Sequence, residues 1–542
     1  MTRPTGGAAL VAALETHDVD TVFGIPGTHN LAVFAALATS SIRTVPTRHE
    51  QGAGYAADGY ARVSGRPGVC LTTTGPAILN AAASAAQAWS DSVPVLFISP
   101  GMPLTHPGRG NGELHEVKNQ QAVLEALVAY SHRVTSVAEI PRAVAYAFAA
   151  MRTGRPRPVH IEVPLDLLDV VGEAPPVAAI EPAAATASED AIATARARLR
   201  AAQRPSMVVG GGARGAARQV RAVAEWLGAP VVTTANGKGV LDEGHPLSVG
   251  AGLHQSAVRA LVEDSDVVLA VGTELAPSDL WNGPIPLEGK LVRIDIDTTS
   301  ICTNADPEVR VVGDAGTVLG QLLAAMETRD EPVGRPGGLE RAATARAALA
   351  VDAAVEGAPW RALVEALSPT VGDGTVVVGD STMACYYGLL SGLRVHRAAG
   401  LLCPTGGGTL GFGLPAAIGA ALSPGRPRVL ALLGDGGAMF TLPELATAAA
   451  LGLSLPVVVV DNGGFGEIRN EMADRGDPVH SVRLSGVDFP AAARAMGCHG
   501  RVVESPAGLT AAVEQAFTAD RPTLLHLEEE SRAAQADVNV SS

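Results

Sequence analysis

The stretch RVLALLGDGGAMFTLPELATAAALGLSLPVVVVDN, Arg428 to Asn462, decides how this chain is read. An aliphatic run ends in GDGG, an Ala- and Leu-rich segment follows, and a second aliphatic run ends in DN. Buried strand, turn, helix and buried strand in that order make one parallel crossover. The turn is expected over GDGGAMF and the helix over LPELATAAALGL, with Pro443 tolerated in its first turn.

The same alternation runs outward over the whole chain. Short β-branched runs are separated by longer Ala-rich segments of helical period, which is the signature of parallel α/β units. The strand candidates are TVFGI, RTVPT, GVCLTTT and VPVLFIS in the first third, and SMVVGGG, APVVTTA, DVVLAVGT and KLVRIDID in the second. In the last third TVVVGD joins the two runs already quoted. Two aperiodic stretches, residues 171–190 and 327–340, read as linkers. The expected fold class is α/β, with three parallel-sheet domains at 1–170, 190–328 and 345–535, a number suited to 542 residues. Several strands end in Gly, Thr, Asp or Asn, and ligands of open α/β sheets bind at the carboxyl ends of strands.

Composition removes several function classes. Hydrophobic residues are 47% and charged residues 18%, yet the apolar runs break well before the roughly 18 residues of a membrane span. No membrane crossing is expected. The N-terminus, MTRPTGGAALVAALETHDVD, turns acidic early and lacks a signal-peptide pattern, so a cytoplasmic location is expected. A net charge of −15 argues against nucleic acid as a partner. The five cysteines are scattered and free of CxxC spacing, and read as small core residues.

Glycines between a strand and a helix let backbone N–H groups face a phosphate. Asp435 in that turn would repel the phosphate unless a cation lay between them. Mg²⁺ resolves the conflict, because it takes oxygen ligands and shares them with substrate phosphates. Asn462 lies 27 positions on, at the tip of the next strand, and the Gly464 carbonyl is a third candidate ligand. Taken singly, GDGG reads equally as a plain glycine turn and Asn462 as a loop residue; the joint spacing is what favours a metal bridge.

This stretch, extended to DNGGFG, resembles the thiamin-diphosphate motif of acetolactate synthases, pyruvate oxidases and 2-oxoacid decarboxylases. The resemblance covers nearly the whole chain. VFGIPGTHNLAVFAAL and the segment from TVPTRHEQGAG to VPVLFIS resemble the family's pyrimidine-binding domain, RPSMVVGGG through VRVVGDA its central domain, and GGGTLGFGLPAAIGA the approach to the diphosphate motif. It implies thiamin diphosphate and Mg²⁺ as cofactors. Asp435 and Asn462 would bind the metal through side chains and Gly464 through its carbonyl, while Gly434, Gly436, Gly437 and Phe465 would adjoin the cofactor.

Further roles follow from the resemblance. Glu50, in TRHEQGAG, falls on the glutamate that hydrogen-bonds the aminopyrimidine and promotes formation of the C2 ylid, which calls for apolar surroundings; a lone RHEQ would read as a polar loop. Leu410 matches the apolar wedge beneath the cofactor, or is ordinary core. The Gly408 carbonyl would orient the 4′-amino group, and Ser381 and Thr382 would contact the diphosphate. His29, beside Thr28 in GIPGTHN, sits where the family's loop faces the thiazolium, and is either a proton shuttle or a capping residue. His115 and Glu116 lie where related enzymes place a substrate-facing Gln, and Gln120, close by, is a further substrate candidate. A homodimer or homotetramer is implied, with active sites between subunits.

Gly210 to Gly215 matches GxGxxG, but the next strand ends in Thr and Asn rather than an acid, so a dinucleotide is not expected. VGTELAPSD carries Glu274 where flavin-binding relatives have Arg, so FAD is not expected either. Decarboxylation and carboligation share an enamine intermediate, and departures from acetolactate synthase tilt the reading to non-oxidative 2-oxoacid decarboxylation. GIPGTHN, VGTELAPSD and FGEIRNEM resemble decarboxylases of the 5-guanidino-2-oxopentanoate type. Glu113, Glu116, Glu274, Glu467 and Glu471 are candidate partners for such a cationic tail. The alternatives are an acetolactate-synthase-like carboligase and a non-catalytic thiamin-diphosphate-binding protein.

Overall fold

The computed structural model describes residues 3–327 and 337–529. Residues 328–336 of the second expected linker, and 530–535 of the third expected domain, lie outside the described residues. Three six-stranded sheets follow one another along the chain, each with its strands parallel.

The first sheet holds β1 (Thr21–Gly24), β2 (Arg43–Pro46), β3 (Gly68–Leu71), β4 (Val95–Gly101), β5 (Ser131–Arg133) and β6 (Val159–Pro164), in the order β2-β1-β3-β4-β6-β5. The second holds β7 (Pro205–Val209), β8 (Val231–Thr233), β9 (Ser248–Ala251), β10 (Val267–Val271), β11 (Leu291–Asp295) and β12 (Val309–Val312), in the order β12-β11-β10-β7-β8-β9. The third holds β13 (Thr375–Gly379), β14 (Leu401–Leu402), β15 (Arg428–Gly434), β16 (Pro456–Asp461), β17 (His499–Val502) and β18 (Thr523–Glu528), in the order β14-β13-β15-β16-β18-β17. Helices cover both faces, so central strands such as VVLAV of β10 and PVVVVD of β16 are buried throughout.

The first and third sheets share one winding, and each reverses direction once near its middle, between β1 and β3 and between β13 and β15. A crevice opens at such a reversal, at the carboxyl ends of the strands. The loops at these two places are Ile25–Asn30, Thr72–Gly75, Asp380–Thr382 and Gly434–Asp435. They contain Thr28, His29, Ser381, Thr382, Gly434 and Asp435.

The helix after β15 begins at Asp435 itself and runs to Thr441, and a second one runs from Glu444 to Ala450. The sequence pointed to a turn over this whole segment and one helix after it. Gly434 instead supplies the extended N-cap, and Pro443, which has no N–H to donate, divides the helix in two. Four cysteines are buried as expected; Cys302 is exposed, because it closes the surface turn Ser300–Cys302 rather than lying in a strand.

The first and third sheets share a hydrophobic core. The helix Glu50–Ser64 crosses the helix Gly413–Leu422 so closely that a Cβ on Gly419 would lie 1.8 Å from the Ala56 carbonyl oxygen, and one on Gly59 would lie 2.1 Å from that of Ala416. Only glycine permits this approach. Beside the crossing, Arg62 donates to Asp58 and, at 2.9 Å, to Asp91. Asp91 also accepts from the Thr405 hydroxyl (2.7 Å) and the Gly406 amide (2.7 Å), while Asn236 of the second unit donates to Thr405 (2.6 Å). Burial pushes the Asp58 carboxyl up despite Arg62. In Asp91 the same burial is outweighed by Arg62 and the hydroxyl and amide donors, and its carboxyl stays below the usual range. All three units are therefore locked at one buried ionic junction.

Candidate functional site

On the first sheet, the loop after β1 is held by Asn30. Its amide donates to the Ile25 (3.0 Å) and Thr72 (3.1 Å) carbonyls, and its Oδ1 accepts the Gly27 amide at 2.7 Å. Thr28 is exposed and opens a short 3₁₀ turn, and His29 follows it. His29 meets His115 edge to face, with ring centroids 4.9 Å apart, and the Nδ1 atoms of both are buried without a hydrogen-bond partner among the described residues. Burial, then the neighbouring His115, lower the His29 pKa, so the ring is neutral at pH 7.

Glu50 is the first residue of the helix Glu50–Ser64, after a His49 cap. It is half-buried in a single chain, and the enclosure expected of it is incomplete there. Its Oε2 accepts from the Asn80 amide at 3.0 Å. Glu444 of the third unit accepts the Arg48 (2.9 Å) and His49 (3.0 Å) amides and so fixes where this helix starts.

The three candidates in the 112–121 segment separate. His115 faces His29. Glu116 accepts the backbone amides of Asn111, Gly112 and Glu113, and caps its own loop. Gln120 is buried: its Oε1 accepts the Gly75 amide at 2.8 Å, and its Nε2 donates to Ser99, Pro100 and Glu162. Gly75, at φ +64°, heads the helix Pro76–Ser90 that carries Asn80, and a Cβ there would lie 2.2 Å from the His115 carbonyl oxygen. Gln120 thus orients both the partner of Glu50 and the backbone of His115.

On the third sheet, Asp435, Asn462 and Gly464 come together at the tips of β15 and β16. The Asn462 backbone N–H donates to Asp435 Oδ1 at 3.3 Å. A Cβ on Gly436 would lie 3.3 Å from the Gly464 carbonyl oxygen and 3.0 Å from the Phe465 ring. A Cβ on Gly434 would meet the Thr382 hydroxyl at 3.0 Å, and one on Gly437 would meet the Asp380 carboxyl group at 3.3 Å. Burial, and then the charge of Asp461, push the Asp435 carboxyl up to about 6. The Asn462 Oδ1 is buried with no partner among the described residues. An orphaned oxygen, a carboxylate held at a cost and a nearby carbonyl are the donor set of a hard cation.

Asp380, which no sequence argument singled out, organises the neighbouring loop. Fully buried and pushed up to about 6 by burial, it accepts the amides of Ser381, Gly411 and Gly413. The loop Gly406–Gly411 between them carries Gly408, in a left-handed conformation at φ +58° with open space around it, and half-buried Leu410. The Thr409 hydroxyl meets the Tyr55 hydroxyl at 2.5 Å. Ser381 lies near the Tyr386 phenol.

No hydrogen bond or ion pair among the described residues joins the Glu50 group to the Asp435 group. Glu274 lies on a separate cavity of about 450 Å³ beside the second sheet, paired with Arg155 at 2.7 Å. Glu113 is exposed and accepts from Asn111.

Three matches span most of the chain: the thiamine pyrophosphate enzyme N-terminal TPP binding domain over residues 4–123, the central domain over 192–322, and the C-terminal TPP binding domain over 378–527. The chain is 39% identical over 530 residues to the probable 2-ketoarginine decarboxylase AruI of Pseudomonas aeruginosa, covering 96% of this chain and 94% of that one. It is 29% identical over 535 residues to the acetolactate synthase isozyme 1 large subunit of Escherichia coli, covering 97% and 94%. A probable acetolactate synthase large subunit of Methanococcus aeolicus is 30% identical over 556 residues, covering 96% and 91%.

Proposed function

This chain belongs to the thiamine pyrophosphate enzymes, and from that premise we propose that it is a Mg²⁺-dependent decarboxylase of a 2-oxoacid with a guanidinium tail. The observation that carries the cofactor half of this reading is the convergence of Asp435, the partnerless Asn462 Oδ1 and the Gly464 carbonyl at two adjacent strand tips. The name of the Pseudomonas relative, the most similar of those above, supports the substrate half. The domains are taken as 1–170, 190–328 and 345–535.

Asp435 and Asn462 would hold the metal with the Gly464 carbonyl, and the metal would anchor the diphosphate beside Gly434, Gly436, Gly437, Ser381 and Thr382. Glu50 would hold and release a proton at the pyrimidine ring, with the Gly408 carbonyl on the same ring, Leu410 as the wedge beneath it and Phe465 alongside. When bound, thiamin diphosphate supplies the electron sink that carries the pair left by CO₂ loss. The reaction takes up one proton for each CO₂ released and yields an aldehyde. His29, in contact with His115, would hand on that proton.

Incubation with a panel of 2-oxoacids, alone and with excess pyruvate, tests the reaction. The account predicts the aldehyde one carbon shorter as the main product under both conditions. An acetohydroxyacid as the main product would move the chain to the carboligase reading.

A homodimer or homotetramer is the proposed assembly, with each active site completed by a second copy. Support comes from apolar side chains exposed beside each half of the site. Leu31 and Leu114 flank the His29 region, and Met439 and Phe440 follow Asp435. If Glu50 of one copy serves Asp435 of another, a Glu50→Gln subunit and an Asp435→Asn subunit, each inactive alone, form a mixed dimer with one intact site. Random mixing then restores about a quarter of wild-type activity. No recovery, with exchange verified by mass, would place both groups of each site in one chain.

A further inference from the structure

Aromatic residues are scarce in this chain, with four Trp and six Tyr in all, yet two of each meet beside the third sheet. Tyr387 stacks on Trp360 with centroids 5.7 Å apart and meets the edge of Trp281 at 5.7 Å; Tyr386 meets Trp281 at 6.4 Å. Trp281 is 39% exposed. The Tyr387 hydroxyl donates to Glu467 Oε1 at 2.6 Å. This contact spans from the segment after β13, which carries Ser381 and Thr382, to the segment after β16, which carries Asn462 and Gly464. It therefore bridges the two loops that flank the Gly434–Gly437 turn.

Glu467 is incompletely satisfied. Its Oε2 is closed off from solvent and has no hydrogen-bond partner among the described residues. A buried acceptor left unpaired is destabilising, the more so when charged. The cation on the next turn of the helix Gly466–Asp474 does not relieve it, since Arg469 turns back to donate to the Asn462 carbonyl at 3.3 Å. Glu471 adds a second carboxylate four residues on, on the same helical face, which a cation between the two would stabilise. Of the five acids proposed from the sequence as tail partners, Glu274 is paired with Arg155, Glu116 caps its loop and Glu113 accepts from Asn111. Only Glu467 combines a spare acceptor, a fixed orientation and a place next to the proposed metal and diphosphate residues.

A guanidinium has a rigid fork of donors that fits a carboxylate and a flat face that stacks on aromatic rings. We propose that Glu467, held in place by Tyr387 of the ring cluster that includes Trp281 and Tyr386, recognises the guanidinium tail of the substrate and sets the specificity of the enzyme. This rests on the reading of the substrate as a guanidino 2-oxoacid.

The test compares kcat/KM for 5-guanidino-2-oxopentanoate and for the uncharged 2-oxohexanoate in the wild type, Glu467→Gln and Tyr387→Phe. The wild type should prefer the guanidino acid. Glu467→Gln should cut that preference at least tenfold, chiefly through a higher KM for the guanidino acid, and Tyr387→Phe should cut it in the same direction by less. Thiamin-diphosphate affinity, measured in parallel, reports whether each variant is folded, and Tyr387→Phe carries the test should Glu467→Gln misfold. A wild-type preference that survives in the folded variants overturns the role of Glu467 and leaves the substrate reading standing. A wild type with no preference for the guanidino acid overturns both.

Discussion

Glu50→Gln is expected to lower kcat on any accepted 2-oxoacid by about a hundredfold or more, the range that a positioned general acid or base contributes. Gln keeps the size of Glu and the capacity to accept from Asn80, but cannot take up and return a proton. The side chain is held by three independent devices: the His49 cap at the helix start, the Asn80 amide on its carboxylate and the grip of Glu444 on the Arg48 and His49 amides. The substitution therefore changes the chemistry of the group while its surroundings stay fixed. Steady-state kinetics with saturating thiamin diphosphate and Mg²⁺ are the check, alongside cofactor titration. A kcat within threefold of wild type would remove Glu50 from the mechanism.

Asp435→Asn is expected to abolish cofactor retention rather than to weaken the fold. Folding stability distinguishes the two. The Asp435 carboxyl lies at about 6 in the folded chain, raised by burial and by Asp461 above its ordinary value. A raised carboxyl pKa means that the folded state binds the proton more tightly than the unfolded one. Stability contributed by this group is then gained as pH falls from about 6 toward 4, and at pH 7 the ionised form is a net burden. A neutral Asn removes that burden, so the apo variant should melt no lower than the apo wild type at pH 7. Added thiamin diphosphate and Mg²⁺ at a hundred times their dissociation constants should stabilise the wild type by about 2.7 kcal/mol and the variant by none. A ligand-induced rise in melting temperature of equal size in both proteins would show that Asp435 does not hold the metal.

The parts of the fold that could be read in the sequence are those whose cause is local. The strands in TVVVGD and LPVVVVDN carry unbroken Val runs because they are covered on both faces. Two of the strands that escaped notice show why. β17 lies at a sheet edge and is largely exposed, so its four residues, His499 to Val502, carry no apolar run. β6 is buried but carries His160 and Glu162, whose polarity is absorbed by Ser99, Ser131, Gln120 and Arg133 from distant segments.

The site divides in the same way. The meeting of Asp435 and Asn462 was legible because one crossover fixes their spacing. Asp380 was not, since its role appears only when Gly411 and Gly413 fold back onto it. Glu444 acts on Arg48 and His49 from almost 400 residues away, and the partners of Gln120, namely Gly75, Ser99 and Glu162, come from segments that no local pattern links to it. The Tyr387–Glu467 contact joins two loops that only the sheet order places on either side of the diphosphate turn.

The proposed reaction is the removal of CO₂ from a guanidino 2-oxoacid with thiamin diphosphate and Mg²⁺. The most direct measurement follows CO₂ and aldehyde from 5-guanidino-2-oxopentanoate labelled at C1, with the purified apoprotein, with each cofactor alone and with both. Labelled CO₂ and 4-guanidinobutanal are expected in equal amounts only when both cofactors are present. Release that does not depend on the cofactors, or no release with both bound, would contradict it.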